Sequence, residues 1–255
     1  MPITKPGILY LGESRLIYAG HGIQAEMHEH FAFSILISLS DSFRIRPQDG
    51  EEILCQGAIV HSNVAHALHA GAADMLVLQF DPDSVTARHS ERRESIHPFN
   101  TTHLRCFEKL RVLFDEKTDC LLAWSLFDEV LHELQYAETA APELNAHILQ
   151  VIKILKTNSS EIIPLEDLCQ STGISGDRLM RLFKEAMGIP IRRYHLWIRL
   201  RQVAYLLKEG MNLTRAAHEA GFSDSAHLSR TFKSMFGVPP SEFLAGNSGV
   251  RVRFC

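Results

Sequence analysis

The sequence predicts a protein of two parts, a β-rich N-terminal half followed by an all-α C-terminal half. Apolar residues alternate within short segments up to about residue 82 and recur three or four residues apart from about residue 101. The charge also changes. Residues 1–140 hold 11 Lys and Arg against 20 Asp and Glu, a net −9, and residues 141–255 hold 15 against 10, a net +5. Such a division suggests that only the second half meets a polyanion.

Length and composition limit the classes of protein that fit. A chain of 255 residues is about two domains long, and its longest apolar run, near residues 31–39, falls short of the roughly 20 residues that span a bilayer. The N-terminal residues lack a basic segment followed by an apolar one, so we expect no signal peptide. The five cysteines are scattered and include no CxxC motif. A disulfide framework is therefore not expected, and a reducing cytoplasm fits better.

Short strands are predicted across residues 7–82. SILISLS, DSFRIRP, EEILCQGAIV and DMLVLQF carry β-branched or alternating apolar residues, with Gly, Asp, Asn or Pro between them. Several short strands at this spacing are typical of a sandwich or barrel. We therefore assign residues 1–100 to a β-rich domain.

Two amphipathic helices are predicted next, within residues 101–137. THLRCFEKLRVLF and CLLAWSLFDEVLHEL place apolar residues three and four apart. The two helices could simply cap the β domain, but they offer more apolar surface than that role needs, which favours a homodimer interface. Residues 138–144 are Ala-rich with a Pro, and we assign them to a linker.

The C-terminal half, residues 145–247, contains an internal repeat. RLFKEAMGIP at 181–190 matches RTFKSMFGVP at 230–239 in its Arg, Phe, Lys, Gly and Pro. A Gly five residues after a Phe fits the end of a helix, where φ is positive, and Pro then suits the start of the next helix. Upstream, a Leu stands eight residues before Gly173 and before Gly221 in both copies. Each copy therefore predicts a helix, a tight turn at Gly and a second helix, the helix-turn-helix geometry.

The second helices of the two copies are predicted at 176–187 and 224–236, capped by Ser175 and Ser223. Their polar faces fit either a solvated surface or a surface that enters the major groove of DNA. A connecting helix of about 18 residues within 191–210 would span roughly 27 Å, enough to help set two reading helices about 34 Å apart, one turn of B-DNA. Its arginines, Arg192, Arg193, Arg199 and Arg201, could meet phosphates.

These features resemble the AraC/XylS family of bacterial transcription regulators. The resemblance rests on ISGDRLMRLFKEAMGIP, on RLRQVAYLL of the connecting helix, and on AGFSDSAHLSRTFKSMFGVPPSEF. It implies a DNA-binding domain with two helix-turn-helix motifs. It implies further that DNA is contacted by Arg178, Met180, Arg181, Lys184, Ser225, Ala226, Ser229, Arg230 and Lys233.

The same resemblance implies a cupin-like β-barrel that binds an effector in the N-terminal half. His28-Glu29-His30 and GAIVHSNVAH (57–66) look like the two cupin motifs in reduced form. His28 and His30 share one face of a strand, and His66 stands where the second motif places a metal-binding histidine. Three imidazoles suit a divalent transition metal. The acidic ligand expected after His30 is missing, so an organic effector, or a core role for the histidines, is the other interpretation.

The sequence thus predicts a cytoplasmic transcription regulator, with promoter DNA and a small-molecule or metal effector as partners. If it activates transcription, RNA polymerase is a further partner, and a membrane partner is not expected. A cupin metal-dependent enzyme is the rival class. No Ser/His/Asp set, phosphate-binding loop or HExxH helix is evident in the sequence, so we predict that the protein is not an enzyme.

Overall fold

The computed structural model describes residues 7–84, 96–136, 143–243 and 250–255. The chain divides into two compact units, residues 1–140 with 233–255 and residues 141–232. Strands predominate in the first unit and helices in the second. The domain boundaries drawn above stay predictions, and most of the predicted linker, residues 138–142, lies outside the described residues. No helix in the described part of the chain has both the length and the hydropathy needed to cross a bilayer.

The described strands of the first unit lie in two sheets. They are β1 (Gly7–Leu11), β2 (Arg15–His21), β3 (Gln24–His28), β4 (Phe33–Ser38), β5 (Phe43–Pro47), β6 (Ile53–Cys55), β7 (Gly57–Val60), β8 (His66–His69), β9 (Asp74–Phe80), β10 (Ile96–Phe99) and β11 (Val250–Phe254). The larger sheet has the order β10-β7-β4-β9-β2-β1-β11, and the smaller has the order β3-β8-β5-β6.

The described strands form two separate sheets, so the cupin-like β-barrel that the resemblance implies is not confirmed. Strand β3 pairs with β8 in the smaller sheet, whereas β4 pairs with β7 and β9 in the larger one. The chain therefore passes from one sheet to the other between His28 and Phe33. Every residue of β4 is buried, as expected for a strand covered on both faces. The prediction of a β-rich N-terminal half is confirmed, but the described residues form no closed barrel.

The hydrophobic core of the first unit joins the larger sheet to the two segments predicted as amphipathic helices. The first is a 3₁₀ helix, Phe107–Phe114, and the second is the α-helix α1 (Cys120–Glu133). The Tyr10 hydroxyl donates to the Leu113 carbonyl at 3.1 Å, which ties the 3₁₀ helix to β1. Most of the apolar side chains that favoured a dimer interface divide between two groups in this core. Buried in it are Leu110, Leu113, Phe127, Val130 and Leu131, and partly buried against it are Phe107, Phe114, Trp124 and Leu134. By packing against the larger sheet, the 3₁₀ helix and α1 bury much of the apolar surface that favoured a homodimer interface.

The end of the chain completes the larger sheet, which the sequence analysis did not predict. Strand β11 pairs in parallel with β1, from Gly7 opposite Val250 to Leu11 opposite Phe254. A disulfide then joins Cys120, at the start of α1, to Cys255. We expected no disulfide framework, and the sequence spacing gives no sign of this bond because its cysteines are 135 residues apart. Strand pairing brings them together.

Short helices joined by tight turns make up the C-terminal half, as predicted. They are α2 (Ala146–Thr157), α3 (Leu165–Thr172), α4 (Gly176–Met187), α5 (Ile191–Lys208), α6 (Leu213–Glu219), α7 (Ser225–Phe236) and α8 (Pro240–Phe243). Helices α4 and α5 have the predicted bounds and length. Apolar residues of α2 and α5 form much of the helical core, including Ile148, Val151, Trp197 and Val203.

The disulfide predicts a specific thiol count. We expect protein purified without reductant and then denatured to expose three thiols per chain, those of Cys55, Cys106 and Cys169. Reduction should raise the count to five. The variant Cys120→Ser should give four thiols with or without reductant, and thiol titration with Ellman's reagent measures all of these values. Five thiols in the unreduced wild type would contradict the pairing.

Candidate nucleic-acid interface and histidine cluster

The repeated helix stop has the backbone geometry that the sequence predicts. Gly188 and Gly237 have φ of +76° and +72°, the left-handed region in which a side chain is unfavourable. Their backbone N–H groups donate to the Lys184 and Lys233 carbonyls at 2.9 and 2.8 Å, which closes the last turn of α4 and of α7. Each copy of the repeat therefore ends its helix in the same way.

A second pair of glycines forms the turns inside the two helix pairs. Gly173 follows α3 with φ of +71°, and Gly221 lies between α6 and α7 with φ of +84°. At Gly221 a Cβ would lie 2.2 Å from the Ser160 carbonyl oxygen, so only glycine fits there. At Gly173 nothing lies within 4 Å of that position. The first turn needs only the backbone conformation, whereas the second also needs a close approach to a neighbouring loop.

The N-terminal cap of α7 differs from the prediction. Asp224, rather than Ser223, accepts the His227 backbone N–H at 2.6 Å, and this hydrogen bond is the main cause of a lowered pKa for the Asp224 carboxyl. The Ser223 hydroxyl instead contacts the side chains of Asp224 and His227. Ser175 stands at the predicted cap of α4, but its side chain makes no capping hydrogen bond. At α7 the cap position is therefore taken by Asp224, one residue after Ser223.

Helix α4 presents the polar face that was predicted. Leu179, Phe183 and Met187 are buried. Four of the side chains that we assigned to DNA contact are exposed on this helix: Arg178, Met180, Arg181 and Lys184. Met180 keeps 45% of its surface exposed, which is unusual for a large apolar side chain that has no partner to cover it.

Helix α7 exposes a similar but less uniform face. Ala226, Arg230 and Lys233 are exposed, whereas Ser225 and Ser229 are half-buried. The Ser229 hydroxyl donates to the Ser225 carbonyl at 2.8 Å, so its proton is already used within the helix. Lys233 forms an ion pair with Glu26 at 2.8 Å, in which both side chains are at least half exposed. Such exposed pairs contribute little and exchange readily with another anion.

The predicted row of arginines on α5 is divided between two roles. Arg192 and Arg193 are exposed. Arg199, in contrast, donates to the carbonyls of Ser159, Glu161 and Gly221 at 3.1, 2.8 and 3.0 Å, so its guanidinium joins two turns of the helical unit. The hypothesis that Arg199 meets phosphate is therefore wrong, because its donors are already directed at backbone oxygens.

A cluster of three buried histidines occupies the first unit. His28 ends β3 and pairs across the sheet with His66, the first residue of β8. His30 follows two residues after β3. The ring centroids lie 4.3 Å apart for His28 and His66, 5.1 Å for His30 and His66, and 5.6 Å for His28 and His30. The structure thus brings together all three histidines that the sequence analysis selected.

Backbone carbonyls hold each ring in one orientation. Nδ1 of His28, His30 and His66 lies 2.9, 2.8 and 2.8 Å from the carbonyl oxygens of Glu26, Ala32 and Val64. Burial is the largest cause of a lowered pKa at all three rings, and it brings the pKa of His66 to about 3. The cluster is therefore neutral at pH 7.

Two buried polar residues beside the cluster escaped the sequence analysis. The Ser34 hydroxyl lies 3.3 Å from Nε2 of His30, and it accepts a hydrogen bond from the Gln79 side chain at 3.0 Å. A polar residue within each of two otherwise apolar strands was the signal that could have identified them. Of two further histidines near β7 and β8, His61 is buried against the rings of Phe33 and His97, and His69 is exposed.

Comparison with known proteins gives a consistent result for the C-terminal half. A family model described as a helix-turn-helix domain matches residues 168–246. The Msm operon regulatory protein of Streptococcus mutans is 28% identical over 43% of this chain. The uncharacterized HTH-type transcriptional regulator YbfI of Bacillus subtilis is 26% identical over 83% of this chain and 84% of its own length. The chain covers only 40% of the Streptococcus mutans protein.

The fold of the whole chain resembles a solved structure. ToxT from Vibrio cholerae, in a structure described as bound to an unsaturated fatty acid, superposes with a TM-score of 0.58 over 90% of this chain and 94% of its own. The sequence identity is 15%, so the likeness concerns the fold. It covers both the β-rich part and the helical part.

The turn at Gly221 allows a matched pair of substitutions. We expect Gly221→Ala to lower the free energy of unfolding more than Gly173→Ala does. Both place a Cβ on a left-handed backbone, at a cost of roughly 1–2 kcal/mol. Only Gly221→Ala also forces the Ser160 carbonyl to move. Urea unfolding of the two variants measures the difference, and equal losses would contradict the close approach.

Proposed function

We propose that the chain is a member of the AraC/XylS family of transcription regulators and that it binds promoter DNA through α4 and α7. In this proposal α3 with α4 and α6 with α7 form two helix-turn-helix motifs, and a small effector held by the first unit changes promoter binding. The observation that carries the proposal is the repeated polar face. Helices α4 and α7 both end at a glycine, and each exposes two basic residues at matching positions. Arg181 corresponds to Arg230, and Lys184 corresponds to Lys233.

The spacing of the helices supports binding on one side of the duplex. Helix α5 has 18 residues and a length of about 27 Å. One turn of B-DNA measures about 34 Å, and a connecting helix of this length, with the widths of the flanking helices, suits recognition helices in successive major grooves. Exposed Arg192 and Arg193 near the start of α5 add positive charge beside α4.

The proposed roles of the side chains follow from their chemistry. Arg181 and Arg230 can donate two hydrogen bonds to guanine or bind a phosphate, and exposed Met180 and Ala226 can contact the thymine methyl group. Ser225 and Ser229 are the positions proposed to read base edges through short side chains. Arg178, Lys184 and Lys233 would contact the phosphate backbone, which contributes affinity without sequence preference.

The first unit is proposed to bind the effector at His28, His30 and His66. Buried, oriented polar groups within apolar surroundings are typical of small-molecule sites. The ToxT structure carries an unsaturated fatty acid, and this supports a ligand-responsive role for the same fold here. We also propose that the two segments that carry these histidines, residues 28–30 and 57–66, are reduced cupin motifs.

A regulator fits better than the rival class, a cupin metal-dependent enzyme. The relatives reported above are named as regulators, and we propose no catalytic residue. Because its ligand is chromosomal DNA, we place the protein in the cytoplasm. RNA polymerase would be a further partner if the protein activates transcription.

A homodimer is retained in the proposal with a smaller interface than the sequence analysis favoured. Two leucines at the start of α1 stay outside the core, Leu121 with 82% and Leu122 with 44% of their surface exposed. Adjacent exposed leucines at a helix end offer apolar surface that a second copy of the chain could cover.

The variant Arg230→Ala tests DNA binding directly. We expect a selected DNA fragment to bind about 1–3 kcal/mol more weakly if Arg230 contacts guanine, with relaxed preference at one base pair. If Arg230 contacts phosphate, all sequences should weaken alike and the salt slope should fall by about one unit. Fluorescence anisotropy at several salt concentrations separates these results. The control is Arg44→Ala, which removes an exposed arginine of the first unit, and equal affinities of the two variants would contradict the assignment.

Sedimentation equilibrium tests the dimer. At micromolar concentration we expect twice the 28.8 kDa mass of one chain. The variant Leu121→Glu should shift the protein toward the monomer because it places a charge in an apolar contact. Leu54→Glu, which alters a leucine of β6 that is 67% exposed, is the matched control and should leave the mass unchanged. A monomeric wild type would remove the homodimer from the proposal.

A further inference from the structure

We propose that His28, His30 and His66 form a binding site for one divalent first-row transition metal ion. The inference deepens the proposed function, on which its regulatory meaning rests, because it names the class of effector that the first unit holds. One ring nitrogen from each of the three histidines lies within 4.8 Å of the others, and all three residues are buried.

The backbone fixes where the three rings start. His28 and His66 are cross-strand partners of β3 and β8, so their side chains leave the sheet side by side. The register between Ala25 and His28 is irregular, which marks a bulge that redirects the end of β3. His30 lies in the short segment before β4 and completes the triangle from a second direction. Because two of the rings project from paired strands, the cluster is largely formed before any ligand arrives.

Hydrogen bonds determine which nitrogen each ring offers. A carbonyl oxygen only accepts, so Nδ1 of each ring carries the proton that it donates to Glu26, Ala32 or Val64. The lone pair of each neutral ring therefore lies on Nε2. A histidine that donates its other N–H to a backbone carbonyl has the arrangement found in metal sites, where the outer hydrogen bond fixes the tautomer and orients the ring. All three members of the cluster have it.

The donor set indicates the kind of ion. Three imidazoles without a carboxylate suit borderline ions such as Zn²⁺, Fe²⁺, Ni²⁺ and Cu²⁺, whereas Mg²⁺ and Ca²⁺ take oxygen ligands. Metal–nitrogen bonds of about 2.0–2.1 Å place ligand nitrogens roughly 3.0–3.5 Å apart. The ligand nitrogens lie within 4.8 Å of one another, so the rings must move closer together to bind one ion.

A hydrogen-bonded core cluster is the competing explanation, and the contacts favour metal. The Ser34 hydroxyl approaches Nε2 of His30, but the separation of 3.3 Å is long for a hydroxyl donor. If the three histidines were only a hydrogen-bonded part of the core, hydrogen-bond donors would point at their Nε2 atoms. The structure instead directs three Nδ1–H donors to carbonyls and brings one nitrogen of each ring within 4.8 Å of the others, an arrangement that a cation stabilises.

Titration with Co²⁺ tests the site in the full chain after removal of metal with a chelator. Co²⁺ bound by three imidazoles gives visible d–d absorption, so we expect absorption that saturates at one ion per chain and is displaced by Zn²⁺. Elemental analysis after dialysis against Zn²⁺ should also give one ion per chain. The wild-type spectrum decides by itself whether the site exists, and absorption that fails to saturate at one equivalent would overturn the inference.

The variant His66→Asn and its control identify the ligands. Loss of an outer hydrogen-bond partner alone weakens metal sites by about 10–100-fold, so we expect loss of a ligand to weaken Co²⁺ binding by at least about tenfold. His69→Asn alters an exposed histidine three residues away on the same strand and should bind Co²⁺ like the wild type. Circular dichroism checks that both variants are folded. Equal weakening by the two variants would overturn the assignment.

A parallel measurement separates this inference from the proposed function. Affinity for the selected DNA fragment is determined for the same full chain with Zn²⁺ and with chelator, and we expect the two values to differ by at least about threefold. Absent Co²⁺ absorption with intact DNA binding overturns the metal site and leaves the regulator. Intact Co²⁺ absorption with no DNA binding overturns the regulator and leaves the metal site. Equal DNA affinities overturn the claim that the ion is the effector.

Discussion

The close approach of Gly221 to Ser160 is the constraint on which the helical unit depends. It brings the turn between α6 and α7 against the loop that follows α2, and any side chain at Gly221 would separate them. Arg199 donates to carbonyls of both segments, and His195 contacts the same Ser159 carbonyl at 3.0 Å. Three carbonyl oxygens of the two segments thereby accept hydrogen bonds from one guanidinium. Through this junction the long helix α5 is tied to the second helix pair and to the loop that follows α2.

The helical unit could be predicted from the sequence in detail because its signals are local. Glycine stops, Pro190 and apolar spacing fix the bounds of α4 and α5 within a few neighbouring residues. Non-local contacts were missed. Strand β11, the disulfide, the division into two sheets and the backbone role of Arg199 all depend on pairs far apart in the chain. The apolar periodicity of one segment does not indicate which distant segment it contacts.

The histidine cluster could be predicted from the sequence only in part. Its members could be selected from the sequence because the spacing of His28 and His30 and the later His66 follow a known pattern. Their chemistry could not, since it depends on which nitrogen is protonated, and that is set by carbonyls two residues away in each case. Short local loops thus decide the chemistry of a site whose residues the strand pairing assembles. Burial lowers the pKa of all three rings and so disfavours the charged imidazolium form.

The parallel pairing of β11 with β1 joins strands that lie on either side of the helical unit in the sequence. On the ribosome, β1 emerges before the helical unit, and its parallel neighbour emerges after it. At about 5–20 residues per second the interval is roughly 12–50 s. The edge of β1 that pairs with β11 stays unpaired during that interval, while the whole helical unit is synthesised and can fold. The larger sheet can therefore be completed only after residues 250–254 have been synthesised, and a chain that lacks them leaves the hydrogen-bonding edge of β1 exposed.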